Sequence, residues 1–231
     1  MSLTGHPGGA PTRVGTSIGD IAAGLFTATG VNAALYQRQS TGKGVKIDVA
    51  MLDCQLAILE NALARFAATG EVPGPLGARH PSITPFDAFT TADGYLVIAA
   101  GNDRLFERLC QTLERTDLAT NDLFADNHLR TRHSEALKDE LETVLTTKPT
   151  VHWLALLEAA GVPCGPINNI AQVINDPQIA ARNMVVTCKD PVAGTVPILG
   201  NPIKISGVTD STSRRPAPEL DGDRKRILSE L

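Results

Sequence analysis

The side chain best placed to do chemistry is Asp20, which follows Gly19 at the head of an Ala- and Leu-rich run from Ile21 to about Gln39. A carboxylate at the start of a helix lies where free backbone N–H groups and the helix dipole stabilise negative charge. Such a group stays ionised and can attack an activated carbonyl, and the same N–H groups can donate to the oxyanion that develops. A structural account is equally simple, because aspartate is a favoured N-cap worth about 0.5–2 kcal/mol to a helix. The residues alone leave both readings open.

Other clusters carry less chemistry. Thr41-Gly42-Lys43-Gly44 is too short for a phosphate-cradling loop and precedes an alternating segment rather than a helix, so it reads as a turn. Met51 opens a helical stretch and reads as core. Asp53 and Glu60 can share a helix face, where solvated or dimer-facing roles suit them. The five histidines, His6, His80, His128, His133 and His152, have no zinc spacing with one another or with cysteine, so no metal site is expected. Cys54, Cys110, Cys164 and Cys188 are scattered without a C-x-x-C pair. Buried thiols in a reducing compartment follow, and with them a cytoplasmic location.

The elements that must position these groups can be read from periodicity. After a Gly/Pro-rich opening comes the helix behind Asp20, interrupted by Gly24 and Gly30. Val45, Ile47 and Val49 alternate with Lys46 and Asp48 as a short strand, and Met51 to Thr69 returns to helical spacing. Residues 70–85 are rich in proline and glycine and read as a linker or active-site loop. Residues 86–89 and 95–99 form a hairpin across Ala92-Asp93-Gly94. Helices are predicted over 103–115, 134–145 and 151–160, the last capped by Thr150 behind Pro149. Short helices near 170–175 and 177–183 precede strands at 184–188, 195–199 and 203–206. A polar tail follows, with a last ordered piece at 223–231.

The 231 residues carry a net charge of -4, are 42% hydrophobic and 20% charged, and have no long basic block, which removes nucleic acid as an expected partner. No apolar run approaches the roughly 20 residues of a bilayer span, so no membrane is expected either. Met1-Ser2-Leu3 has neither the basic nor the apolar region of a signal peptide. The fold class is α+β, an N-terminal helical piece and a mixed lobe after the linker. The single strand among the first helices lacks a sheet, so those helices need a partner surface.

Four segments together resemble the CaiB/BaiF group, the family III CoA-transferases. They are Gly5-His6-Pro7-Gly8-Gly9 with Gly15-Thr16-Ser17-Ile18-Gly19-Asp20-Ile21-Ala22-Ala23-Gly24; Thr41-Gly42-Lys43-Gly44 running to Asp48-Val49-Ala50-Met51-Leu52-Asp53; Gly161-Val162-Pro163-Cys164-Gly165-Pro166 with Asp176-Pro177-Gln178; and Gly200-Asn201-Pro202-Ile203-Lys204. Their order covers nearly the whole chain. The resemblance implies an α/β fold with a small mixed domain and an interlocked homodimer. In that plan residues 4–70 belong to the large domain, 71–85 to a linker and active-site loop, 86–186 to the small domain, and 187–231 return to the large domain. A Rossmann-like region supplying most CoA contacts is expected upstream of the Gly-Asp motif and is absent here, so the chain is expected to be a C-terminal portion.

By the same resemblance Asp20 is the catalytic carboxylate, forming an aspartyl mixed anhydride and then an aspartyl-CoA thioester. Met51 corresponds to a position near the adenine end of CoA. Gly77-Ala78-Arg79-His80-Pro81 falls where relatives carry a glycine-rich loop over the reacting thioester, although here it holds one glycine; Arg79 is suited to pair with an acceptor carboxylate. Coenzyme A and acyl-CoA are substrates rather than resident cofactors, and a small carboxylic acid is the other partner. Two alternatives stand beside transfer. One is the α-methylacyl-CoA racemase branch, which needs paired acid and base groups. The other is a catalytically inactive fragment that only folds and dimerises.

Overall fold

The computed structural model describes residues 1–230, in two compact units, one spanning Met1–Pro166 and the other beginning at Ile167. The first unit opens with three helices, α1 Ile18–Thr41, α2 Met51–Ala57 and α3 Glu60–Thr69. The helical run expected from Met51 to Thr69 is thus broken at Ile58-Leu59. Gly42 and Gly70 end α1 and α3 in the left-handed conformation, each amide bonding back to a carbonyl of the last turn.

Residues 45–49 do not form the expected strand; they have no ladder partner among the described residues. Alternation there specifies an extended backbone, and a strand also requires a neighbour to pair with. Before Thr84, the buried described side chains are Ala22 and Cys54, whereas Leu25, Tyr36 and Leu52 are 66%, 83% and 76% exposed. By length and composition α1 also qualifies as a membrane span, with a mean hydropathy of 1.3 over its best window. This corrects the expectation that no run approaches that length. Asp20, Thr27, Thr29 and Asn32 interrupt its apolar positions.

The remainder of this unit is a three-stranded antiparallel sheet covered by helices. Strands β1 Phe86–Thr90, β2 Tyr95–Ala99 and β3 Cys164–Pro166 lie in the order β1-β2-β3. Helices α4 Asp103–Thr112, α5 Thr116–Ala119, α6 Asn127–Arg132, α7 Ser134–Leu145 and α8 Thr150–Ala159 fill the connection between β2 and β3. Phe89, Leu96 and Ile98 point from one sheet face into the core. There they meet Leu109 of α4, the stripe Leu137, Leu141 and Leu145 of α7, and Leu157 of α8. The four-residue spacing on α7 puts its leucines on one face, and each such burial stabilises by about 1.5–3 kcal/mol. Thr150 is not the cap of α8. Asp93 in the β1–β2 turn accepts from the Thr150 N–H at 2.7 Å and its hydroxyl at 2.8 Å, so the hairpin itself closes the helix start.

The second unit holds α9 Ile170–Ile174, α10 Pro177–Ala181, β4 Val185–Asp190, β5 Gly194–Leu199, β6 Ser213–Arg214 and α11 Arg224–Ser229. Asn169 caps α9 in a reciprocal box with Gln172, and Asp176 caps α10. The sheet order is β5-β4-β6, with β6 parallel to β4. Residues 203–206 are not the third strand; Ile203 and Ile205 are exposed, and the polar pair Ser213-Arg214 takes the edge instead.

Candidate active site

Asp20 lies in the first turn of α1, two residues beyond the first helical residue, with Ser17 at the N-cap. Ser17 makes no side-chain cap bond. The Ile18 N–H is satisfied by Thr16 and the Ile21 N–H by the Ser17 carbonyl. Among the described residues the N–H groups of Gly19 and Asp20 have no carbonyl partner, and nothing donates to the Asp20 carboxylate. Asp20 is therefore an exposed first-turn carboxylate beside two open amides, and the N-cap account of it does not apply.

Helix α2 packs against α1, and its Gln55 lies over this turn. A Cβ at Gly19 would stand 3.3 Å from the Gln55 carboxamide, so glycine lets that side chain approach the backbone beside Asp20. Gln55 is a site residue that sequence reasoning missed. Nothing marks one glutamine on a helix until the packing of α2 on α1 is known. Met51 begins α2 and is 48% exposed. A separate apolar recess of about 390 Å³ between α1 and α2 is lined by Phe26, Gly30, Ile47 and Cys54.

The loop Gly77-Ala78-Arg79-His80 is held from several sides. The Gly77 N–H donates to the Gly5 carbonyl at 2.9 Å, joining two sequence motifs far apart in the chain. Gly77 has φ +68°, and a Cβ there would meet the His6 ring at 3.3 Å, which explains the one retained glycine. His80 stacks on Phe86 with ring centroids 5.5 Å apart, and its N–H donates to the Phe86 carbonyl at 2.8 Å. Beyond it, α6 clamps the loop's exit. Asn127 accepts from the Thr84 N–H at 3.0 Å and donates to the Ser82 carbonyl at 2.9 Å, and the Thr84 and Thr131 hydroxyls lie 3.1 Å apart.

Arg79 forms part of the walls of two cavities. One, of about 240 Å³, faces α3 through Ala62 and Arg65. The other, of about 650 Å³, faces α6 and α7 through Arg132, His133 and Lys138. Among the described residues no hydrogen bond or shared cavity joins Asp20 to this loop, although both lie in the unit Met1–Pro166. Among the described residues no group of three His, Cys, Asp or Glu side chains could hold a metal ion.

With a carboxylate at a helix head, a loop tied to the Gly5 motif and a helix-covered antiparallel sheet in place, the comparisons with known proteins are decisive for class. The pattern of CoA-transferase family III matches residues 1–224, and the chain belongs to that family. It is 46% identical over its whole length to an acetyl-CoA:oxalate CoA-transferase of Acetobacter aceti and 36% identical to a succinate–glutarate CoA-transferase of Agrobacterium fabrum. It covers 58% of each of those two proteins, so it spans little more than half the length of the relatives it matches. A CaiB/BaiF family protein from Brucella suis superposes with a TM-score of 0.81 at 36% identity, over 100% of this chain and 59% of that one.

Proposed function

We propose that this chain carries the acyl-transfer carboxylate of an acyl-CoA:carboxylate CoA-transferase, with Asp20 as the nucleophile. The observation that carries the reading is the unpartnered Asp20 carboxylate beside the open N–H groups of Gly19 and Asp20. A carboxylate oxygen of Asp20 attacks the thioester carbonyl, the C–S bond breaks, and CoA leaves as a thiolate while a mixed anhydride forms. The thiolate then attacks the aspartyl carbonyl and releases the donor acid, leaving an aspartyl-CoA thioester. The acceptor carboxylate attacks that carbonyl, expelling the thiolate, which in turn takes the acyl group from the new anhydride and frees Asp20. Each attack raises charge on a carbonyl oxygen, and the two amides with the Gln55 carboxamide are suited to receive it. Met51 fits a contact with CoA, and the Gly77–His80 loop fits a position over the thioester.

The apolar side chains that α1 to α3 leave exposed support assembly with a second copy of the chain. Sedimentation as a monomer at micromolar concentration would oppose that part of the reading. Four free cysteines, three of them buried, support a reducing compartment; disulfide-linked chain recovered from cells would argue against it.

The test incubates the chain with succinyl-CoA and a carboxylic acid, traps with hydroxylamine or borohydride, and maps modified peptides by mass spectrometry. A modification on Asp20, lost in Asp20→Asn together with transfer, is expected. Transfer without any mark on Asp20 refutes the nucleophile. Deuterium entering the α-carbon without transfer selects proton abstraction instead, and a chain that neither transfers nor is marked is non-catalytic.

A further inference from the structure

The smaller cavity beside the loop gathers positive charge with no carboxylate to answer it. It encloses about 240 Å³ between α3 and the loop, with apolar walls at Leu59, Leu76 and Pro81. Three polar side chains line it. Asn61 and Arg65 stand four apart on α3 and so share one helix face, and Arg79 comes from the loop. All three are half-buried. Among the described residues no Asp or Glu lines this cavity, and the side chains of Asn61 and Arg65 make no hydrogen bond or ion pair. Arg79 has one long bond, 3.3 Å to the His80 carbonyl. The larger cavity differs, because Asp87 and Glu135 line it beside the cations, and Asp87 accepts from Lys138 Nζ at 2.9 Å.

A guanidinium does not deprotonate in a protein, so two of them in one recess repel each other, the more so where apolar walls exclude water. An anion between them removes that repulsion and takes up donors from both. A carboxylate has two oxygens in one plane and suits a single fork. A phosphate spreads its oxygens over a tetrahedron, so forks from two elements and an Asn61 N–H can each find an acceptor. We infer that this cavity binds a phosphate group through Arg65 and Arg79, with Asn61 as a further donor. The site does not depend on the transferase reading above. Because Arg79 also belongs to the wall of the larger cavity, a phosphate held here and an acid paired with Arg79 exclude one another.

The test is isothermal titration of the chain with inorganic phosphate and with acetate, repeated with Arg65→Ala, Arg65→Lys and Arg79→Ala. Loss of a charge-assisted bidentate contact corresponds to about 10- to 100-fold in affinity. The expected result is that phosphate binds, that acetate binds more weakly by that factor, and that each alanine variant loses the same factor for phosphate. Arg65→Lys is expected to recover part of it, with every variant melting as wild type. Should Arg65→Ala melt lower, Arg65→Gln keeps the stem and carries the same comparison. Absence of phosphate binding at millimolar concentration overturns the inference, as does acetate binding as tightly as phosphate. A folded Arg65→Ala or Arg65→Gln chain that binds phosphate unchanged overturns it too. Competition then identifies the source of the phosphate. Displacement by CoA but not by dephospho-CoA assigns the site to the phosphate monoester that distinguishes them, and displacement by neither assigns it to a separate phosphate ligand.

Discussion

Arg130 gives the sharpest test of how the loop is held. It is fully enclosed, and its Nε donates to the Thr84 carbonyl at 2.9 Å and its Nη1 to the Phe124 carbonyl at 3.1 Å. Its Nη2 reaches the Gly101 carbonyl at 3.2 Å and Asp103 at 2.7 Å, and the guanidinium lies 4.6 Å over the Phe106 ring. Arg130→Met keeps the length and apolar stem but removes every donor. Each buried carbonyl left without a donor costs about 1–3 kcal/mol. The Asp103 partner adds little, because its side chain is 64% exposed and water replaces the lost bond. Sulfur against Phe106 recovers part of the cation–π contact. The expected loss is about 3–5 kcal/mol, the range for removing one partner of a buried charged network. For a chain of this length that shifts the melting midpoint down by about 6–20 °C. Urea and thermal unfolding measure it. The loop should also open locally, so trypsin should cut after Arg79 faster in the variant than in wild type. A loss under about 1 kcal/mol with unchanged cleavage at Arg79 would refute the clamp.

Two further outcomes follow from the same unit. Contacts with the Thr150 N–H, and next its hydroxyl, hold the Asp93 carboxyl below its ordinary value of 3.8. A lowered folded-state pKa stabilises fully above the unfolded value and is lost as pH falls through the folded one. The gap in melting midpoint between wild type and Asp93→Ala should therefore be constant near neutrality and close below pH 3.8; a gap undiminished in acid contradicts this. At Gly101 an added Cβ would overlap Ile83 Cγ2, so Gly101→Ala should destabilise by about 1–3 kcal/mol. Ile83→Ala in the same chain should relieve that strain, and an additive double mutant in unfolding experiments would show the two do not touch.

The parts of this fold that were legible are those whose signals are local. The β1–β2 hairpin turns at Asp93-Gly94, and α7 runs from Ser134 to Leu145 as its leucine spacing requires. What stayed hidden depends on partners distant in sequence. Asp93 reads as a turn residue until the start of α8 arrives above it. Arg130, between Leu129 and Thr131 among other polar residues, reads as a solvated charge; only tertiary packing makes it the bolt through Thr84, Gly101 and Phe124. Residues 45–49 show the reverse failure, an alternating pattern with nothing to pair with among the described residues. For the candidate site, the helix head behind Asp20 could be read from composition, whereas Gln55 and the shared wall at Arg79 could not.

That shared wall bears on how acceptor choice would be made. A closing lid needs slack at both ends, commonly supplied by hinge residues free to change φ and ψ. Here the segment is tied at Gly77 to the Gly5 carbonyl, at His80 to Phe86 by backbone and ring, and at Ser82 to Thr84 by Asn127, Thr131 and Arg130. Its single glycine serves a positive φ rather than a hinge. A segment so fastened contributes by the side chain it presents rather than by moving over substrate. Arg79 is the one cationic side chain between those ties. In the proposed transfer reaction, an acid that offers Arg79 no charge partner would leave that guanidinium unpaired, and would be rejected more strongly than one lacking a methylene.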